Sequence, residues 1–289
     1  MVMVNAGANR GWTVIDFLQR FWRGAPDNTA WLRALRANGL SDGGRPGPCG
    51  FCGQCKAPRP PLTEAADVRV HAFELLATNA RVLGGVANSS MLGGRVHVHH
   101  SAVGNATGRV FVPEDFDHFE GRESAEARFS AGVQRTQGTH RRTGRYEHTL
   151  RMTTIDSFAA AHRIPVIHQL TVDTEGFDAL VLEGAREMLT EHRIKLLEFE
   201  YHSAGYWGLV EGSRSLESVL ATLDKLGYTC FWQGGRRAPL PLARASGSSW
   251  CRQFEFRRNS NLVCAHAPAV VKVLSECADG AASCVGQRR

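Results

Sequence analysis

The chain has 289 residues, and its 34 basic side chains outnumber the 28 acidic ones, which gives a net charge of +6. With 43% apolar residues it can form a full hydrophobic core, which excludes a wholly disordered chain. No run of about 18 or more apolar residues occurs, so we expect no transmembrane segment in this chain. The basic residues are scattered rather than grouped in a stripe, which disfavours a nucleic-acid partner.

The chain opens with a predicted strand, a glycine-rich turn and a helix. Residues 1–6 have the pattern of a short buried strand, which runs into the turn at residues 7–11. Apolar residues at helical spacing then predict a helix over residues 12–22. Glycine and proline dominate residues 42–61, so we interpret residues 41–66 as a flexible insertion.

The middle of the chain alternates strand and helix patterns before a long polar stretch. Residues 68–73 predict a second strand, which is followed by a helix to about residue 83. Residues 95–103 and 108–112 have the pattern of further strands. Residues 113–151 are polar, acidic in their first half and basic in their second, so we expect a long loop there.

The remaining elements alternate more regularly. The predicted helices cover residues 154–161, 177–192 and 216–226, of which Ser215 caps the last and Gly227 ends it. The predicted strands cover residues 166–172, 194–201, 228–232 and 261–266. We interpret residues 1–266 as one domain and residues 267–289 as a C-terminal helix and tail.

This alternation predicts an α/β fold, with a mostly parallel sheet covered by helices on both faces. Ligands of such sheets bind beyond the carboxyl ends of the strands. The rule selects one edge of the predicted sheet, which would carry residues 7–11, Glu74, residues 101–103, Asp173 and Glu200.

The turn Val-Asn-Ala-Gly-Ala-Asn-Arg-Gly at residues 4–11 would let a ligand approach the backbone closely. It is not a dinucleotide fingerprint, because Asn9 stands where that motif has its second glycine. Glu74 follows the second strand, where an acid can accept hydrogen bonds from ribose hydroxyls. The alternative for Glu74 is an ordinary surface side chain.

Asp173 and Glu175 follow a predicted buried strand and are separated by one residue. Paired acids at this position suit acid–base catalysis, cation binding or the binding of an ammonium group. The alternative is structural, because a helix cap and a first-turn acid occupy the same place.

Five segments, taken in order, resemble the motifs of the FkbM-type methyltransferases and cover about residues 1–228. VNAGANRG resembles that family's (V/I)D(V/I)GAN-x-G, HAFELLATNARVL its A-F-E-P stretch and TTIDSF its T-L-D-x-F segment. LTVDTEGFDALVLEGAREML resembles its K-x-D-x-E-G-x-E-x-x-V-L-x-G-A block, and IKLLEFEYH the strand that follows.

The resemblance implies a class I, Rossmann-like domain with a seven-stranded sheet that uses S-adenosylmethionine. It implies O-methylation of a hydroxyl group on a small metabolite or sugar. It also implies a cofactor site at Asn5, Gly7, Asn9, Gly11, Glu74 and Ala102, with the ribose at Glu74 and the adenine near Ala102. Asp173 and Glu175 would lie beside the transferred methyl group as catalytic residues.

The motifs also differ from the family pattern. Asn5 replaces the aspartate of the turn, Leu75 the proline after the acid, and Thr171 the lysine before Asp173. A catalytically impaired relative that only binds the cofactor is therefore a second hypothesis. A nicotinamide-dependent oxidoreductase is a third, and the missing glycine at position 9 disfavours it.

The cysteines do not form the pattern of a disulfide scaffold. Cys230 and Cys264 lie in apolar runs and are interpreted as small core residues. Cys49-x-x-Cys52-x-x-Cys55 lacks a nearby fourth ligand, so we expect no metal site. Without a secretory signal the expected location is cytoplasmic. The chain begins almost at its first predicted strand, so we expect that its N-terminus is truncated.

Overall fold

The computed structural model describes residues 1–40, 65, 67–113, 146–201, 207, 214–233, 243–245 and 260–277. It divides the chain into two compact units, Met1–Ala102 and Val103–Arg289, and we describe each by itself. Apart from Ala65, the insertion predicted at residues 41–66 lies outside the described residues. Residues 114–145 of the predicted polar loop lie outside the described residues as well.

The first unit alternates strands and helices. Its strands are β1 (Val2–Ala6), β2 (Arg69–Glu74) and β3 (Val96–His100), and its helices are α1 (Trp12–Phe21), α2 (Asn28–Ala37) and α3 (Ala77–Ala87), followed by a 3-10 turn at Ser90–Leu92. The strands pair in parallel in the order β1-β2-β3. The three strands and both helices predicted for this region are thereby confirmed, although β3 ends at His100 and α3 extends four residues further than expected.

Helix α2 forms because Asp27 caps it and because Trp31 and Leu35 fall on one face. The Asp27 side chain accepts a hydrogen bond from the Ala30 N–H at 2.7 Å. Trp31 and Leu35 are fully buried, and they pack with Phe17 and Leu83 in the core of this unit. The Trp31 indole N–H donates to the Arg10 carbonyl oxygen at 3.0 Å, which holds the glycine turn against the core.

The second unit is longer. Its strands are β4 (Ala102–Val103, at the division between the units), β5 (Gly108–Pro113), β6 (Tyr146–Thr153), β7 (Ile167–Val172), β8 (Ile194–Tyr201), β9 (Thr229–Gln233), β10 (Ala243–Ala245) and β11 (Ser260–Ala265). Its helices are α4 (Ile155–Ala161), α5 (Asp178–Glu183), α6 (Arg186–Thr190), α7 (Leu216–Lys225) and α8 (Pro268–Cys277). β5 pairs with β6 in an antiparallel arrangement within a three-stranded sheet of order β4-β6-β5. The remaining strands follow the order β7-β8-β11-β9-β10.

The α/β class is confirmed. β7 and β8 run parallel, as do the three strands of the first unit, whereas β11 is antiparallel to both β8 and β9. The seven-stranded class I arrangement and the single domain over residues 1–266 stay predictions. None of the helices in the described parts of the chain has the length and apolar character needed to cross a membrane.

Two sequence predictions in this unit are wrong in extent. The polar loop was expected to reach residue 151, but β6 begins at Tyr146 and pairs with β5. The helix predicted over residues 177–192 is two helices, α5 and α6, separated at Gly184 and Ala185. The break follows from packing: a Cβ atom on Gly184 would overlap the carbonyl oxygen of Gly104, and the Asp156 carboxylate caps α6 through the Glu187 and Met188 N–H groups.

Cys230 and Cys264 are fully buried, as expected for core residues, but they are also joined by a disulfide. They lie directly opposite each other on the antiparallel strands β9 and β11. The bond therefore links two neighbouring strands of the second unit across 34 residues of chain.

Candidate active site

The glycine turn after β1 is fastened to the end of β2. The Gly7 and Ala8 N–H groups both donate to the Phe73 carbonyl oxygen, at 3.0 and 2.8 Å. Gly7, Asn9 and Gly11 have positive φ angles of 86°, 49° and 72°. Asparagine tolerates this left-handed region better than most side chains, so Asn9 is compatible with the turn.

Glu74 is 5% exposed and its carboxylate joins this turn to the chain after β2. Oε2 accepts from the Asn9 N–H at 2.5 Å and Oε1 accepts from the Leu76 N–H at 2.8 Å. Two of the predicted cofactor-binding residues, Asn9 and Glu74, are therefore in direct contact. A carboxylate oxygen can accept more than one hydrogen bond, so an acid at this position is compatible with a ligand hydroxyl.

Asn5 is fully buried near the end of β1. Neither its side-chain nitrogen nor its side-chain oxygen has a hydrogen-bond partner among the described residues. Burying such a group without a partner costs about 1–3 kcal/mol. A ligand or water that both donates and accepts hydrogen bonds would remove that cost. The surroundings of Asn5 therefore fit a polar group.

Gly11 has a packing role that the sequence did not indicate. A Cβ atom there would lie 2.7 Å from both Leu83 Cδ1 and Trp31 Cζ2. The residue is therefore required by the core of the first unit. Its predicted contact with the cofactor stays a prediction, as does that of the half-buried Ala102 on β4.

The second group of predicted site residues lies in the turn between β7 and α5. Glu175 has a φ of 53° and Gly176 one of 96°, which makes the chain turn sharply after β7. The buried Asp178 stabilises this turn, because its Oδ2 accepts from the Thr174 hydroxyl and from the Gly176 N–H, both at 3.2 Å.

Three carboxyl groups meet at this turn. One carboxylate oxygen from each of Asp173, Glu175 and Glu200 lies within 4.8 Å of the other two. Asp173 is exposed, Glu175 is half-buried, and Glu200 on β8 is 7% exposed. We call these three residues the acidic cluster. The structure thus brings the two predicted catalytic residues together and adds Glu200.

Burial and repulsion change the acidity of this region. Burial, followed by the charges of Asp173, Glu175 and Asp178, holds the pKa of Glu200 far above its usual range. A hydrogen bond with Asp173 acts in the same direction. Burial, followed by the charge of Asp173, raises the pKa of Asp178 to about 7. At neutral pH Glu200 therefore carries a proton, which it can donate to the Asp173 carboxylate.

This arrangement can move a proton or hold a cation. An exposed carboxylate hydrogen-bonded to a buried, protonated one is a suitable general base. Several carboxylate oxygens at this spacing also suit a hard divalent cation or an ammonium group. Sequence reasoning placed Glu200 at the expected edge but did not identify it as a site residue, because its burial beside Asp173 depends on tertiary packing.

The comparison with family models agrees with the motif resemblance. Residues 61–230 match the family model described as the methyltransferase FkbM domain. No curated protein sequence gives a match. The chain is also similar to a solved FkbM methyltransferase from Methylobacillus flagellatus KT, with 14% identity and a TM-score of 0.44. That similarity covers 91% of this chain and 42% of the other, so this chain spans less than half the length of that protein.

Proposed function

The chain belongs to the FkbM methyltransferase family, and from this premise we propose that it transfers a methyl group from S-adenosylmethionine to a hydroxyl oxygen of a small metabolite or sugar. The observation that best supports the proposal is the pairing of an exposed acid with a buried one, Asp173 with Glu200. O-methylation requires the removal of a proton from the acceptor hydroxyl, and this pair suits that task.

S-adenosylmethionine, when bound, supplies a sulfonium methyl group that already has a good leaving group. The protein then has to hold the donor, orient the acceptor and remove one proton. In the first unit, we assign the ribose hydroxyls to the Glu74 carboxylate. The polar part of the methionine group is assigned to the turn formed by Gly7, Asn9 and Gly11, next to the buried Asn5.

In the second unit, we assign Asp173 as the general base. Its exposed carboxylate would accept the proton that the acceptor hydroxyl loses on methylation. Glu200 acts as a positioning residue, because its proton fixes the Asp173 carboxylate by a hydrogen bond. Glu175 keeps the region acidic, which favours a sulfonium cation nearby.

A catalytically impaired relative remains the second candidate, since Asn5 and Thr171 differ from the family pattern. Asn5 and Thr171 are both buried, so both departures from the family motif affect interior side chains. A nicotinamide-dependent oxidoreductase is the third candidate. Tight binding of NAD without binding of S-adenosylmethionine would favour it over methyl transfer.

Calorimetry with S-adenosylmethionine, combined with a methyl-transfer assay, tests the proposal. We expect Asp173→Asn to bind the donor as the unaltered protein does but to lose about 10²–10⁴-fold in kcat, the usual contribution of a general base. Glu217→Gln removes an exposed acid at the start of α7 and is the matched control. Donor binding without turnover in the unaltered protein would favour the impaired relative.

The acceptor is expected to be a small molecule, and a nucleic-acid partner is not proposed. The cytoplasmic location stays a prediction. The disulfide between Cys230 and Cys264 is the one feature of the described structure that argues for an oxidising compartment instead.

A further inference from the structure

The side chain of Asn9, in the glycine turn after β1, is held by helix α3. Asn79, in the first turn of α3, donates a hydrogen bond through Nδ2 to Asn9 Oδ1 at 3.2 Å. Asn79 is half-buried, whereas Asn9 is exposed. The two residues are 70 positions apart in the sequence, so the contact depends on the fold and no sequence motif indicates it.

This contact closes a ring of hydrogen bonds around Glu74. The Glu74 carboxylate accepts from the Asn9 N–H and from the N–H of Leu76, the residue immediately before α3. The hydrogen bond from Asn79 then joins α3 back to the turn. Asn9 is therefore fixed through its backbone and its side chain, at a φ of 49° that most residues other than glycine avoid.

The same contact decides which end of the Asn9 amide is directed away from α3. An asparagine amide has an oxygen that accepts and an NH2 group that donates hydrogen bonds. Because Oδ1 is bonded to Asn79, Nδ2 is the end that is left, and it has no hydrogen-bond partner among the described residues. The exposed Asn9 thus offers two N–H donors to a ligand of the turn.

The surroundings of these donors favour an anionic group. Helix α1 begins at Trp12, directly after the turn, and its first turn contains no acidic residue. The first N–H groups of a helix lack partners within the helix, and this end carries a partial positive charge. Of the two charged groups in a methionine moiety, only the carboxylate accepts hydrogen bonds. The donors of Asn9 and the start of α1 therefore suit the carboxylate.

We propose that Asn79 is a positioning residue for donor binding, which orients the Asn9 amide so that Nδ2 donates to the methionine carboxylate of S-adenosylmethionine. The role rests on the proposed function, because it concerns the same donor and the same turn. It adds the group of the donor that Asn9 recognises and a residue on α3 that determines this recognition. Asn79 itself does not contact the donor.

Calorimetry of the full chain with two probes tests the role. The probes are S-adenosylmethionine and decarboxylated S-adenosylmethionine, which keeps the sulfonium and the amino group. In Asn79→Asp the new carboxylate only accepts, so Asn9 has to turn Nδ2 towards it and present Oδ1 to the donor. We expect the affinity for S-adenosylmethionine to fall roughly tenfold or more, and the affinity for the decarboxylated probe to change less than about twofold.

Two further variants separate orientation from charge. Thr78→Asp places the same charge one residue earlier on α3, where the native side chain makes no hydrogen bond with Asn9 among the described residues, and should change neither affinity by more than about twofold. Asn79→Ala removes the donor without adding charge and should weaken only S-adenosylmethionine, by less than Asn79→Asp does. An acid in the first turn favours a helix, so we expect both aspartate variants to keep the Tm of the unaltered protein.

The proposal is wrong if Asn79→Asp weakens both probes equally, because Asn79 would then only support the turn. It is also wrong if Asn79→Asp binds S-adenosylmethionine as tightly as the unaltered protein does, or if Thr78→Asp loses as much affinity. Failure of the unaltered protein to bind S-adenosylmethionine would overturn the proposed function and the role of Asn79 together. Binding without methyl transfer would overturn the proposed reaction alone, and a loss confined to S-adenosylmethionine would still support the role of Asn79.

Discussion

The carboxyl groups of Glu200 and Asp173 form a hydrogen bond, although one lies in the protein interior and the other at its surface. Burial, followed by the charges of three neighbouring acids, holds the pKa of Glu200 far above its usual range. The proton therefore resides on Glu200 at neutral pH, and Asp173 is left as an oriented, solvent-accessible carboxylate. This difference in environment gives two chemically identical groups different roles.

The buried acids predict how stability changes with pH. Asp178 has a pKa of about 7 in the folded protein and an ordinary pKa of 3.8, so between these pH values the folded state binds more protons than the unfolded state. The contribution of Asp178 to the free energy of unfolding is therefore complete below about pH 4 and is lost as the pH rises towards 7. Glu200 has the same sign and extends the loss above pH 7.

Thermal unfolding between pH 4 and pH 8 checks this prediction. The Asp178 contribution is at most about 4 kcal/mol, at about 1.4 kcal/mol per pKa unit. Asp178→Asn keeps an acceptor for the Thr174 hydroxyl and the Gly176 N–H but cannot ionise, so its Tm should fall less steeply with pH. An equal slope in the variant would show that Asp178 does not titrate in this range.

Glu74 is expected to support both the turn and the donor. Glu74→Ala removes the acceptor of the Asn9 and Leu76 N–H groups and should cost about 1–3 kcal/mol of unfolding free energy. Glu74→Gln keeps one acceptor oxygen, so it should fold more stably than the alanine variant. Both should bind S-adenosylmethionine more weakly, by roughly tenfold or more. Unchanged donor affinity in Glu74→Gln would contradict the ribose assignment.

Gly11 tests the packing of the glycine turn. Gly11→Ala places a Cβ atom 2.7 Å from Leu83 and Trp31 at a φ of 72°, so we expect a loss of about 1–3 kcal/mol. Gly84→Ala lies within α3 with nothing near its Cβ position and should stabilise the protein by about 0.5–1 kcal/mol. Urea unfolding of both variants measures the contrast, and equal effects would rule out the packing explanation.

The disulfide predicts a reductant-dependent stability. Because Cys230 and Cys264 close a loop of 34 residues in sequence separation, reduction should cost about 3–4 kcal/mol by the chain-entropy relation. The double variant Cys230→Ala/Cys264→Ala should be insensitive to reductant and serves as the control. Intact mass under non-reducing conditions, on protein isolated from its natural compartment, would show whether the bond forms there. Free thiols in that sample would support the cytoplasmic location.

Much of the fold could be predicted from the sequence because local patterns agreed with tertiary packing. Strand β8 over residues 194–201 is confirmed at both ends, and the cap of α7 is confirmed because the Ser215 hydroxyl accepts from the Ser218 N–H. Helix α2 was missed, although Asp27 followed by Trp31 and Leu35 carries both its cap and its apolar face.

The remaining features depend on contacts distant in sequence. The break between α5 and α6 is set by Gly104 and Asp156, neither of which lies in the helical pattern. The chemistry of Glu200 follows from its burial beside Asp173, 27 residues earlier in the sequence. Spacing alone predicts which acids reach the same edge of a sheet, but only packing decides which of them keeps its proton.

The central claim is that this chain transfers a methyl group from S-adenosylmethionine to a hydroxyl oxygen. The most direct test is mass spectrometry of a metabolite extract incubated with the protein and with S-adenosylmethionine labelled in its methyl group. The account predicts a labelled O-methyl product that forms with the unaltered protein and with Glu217→Gln, but not with Asp173→Asn. Binding of the donor with no labelled product from any extract, or equal product with Asp173→Asn, would contradict it.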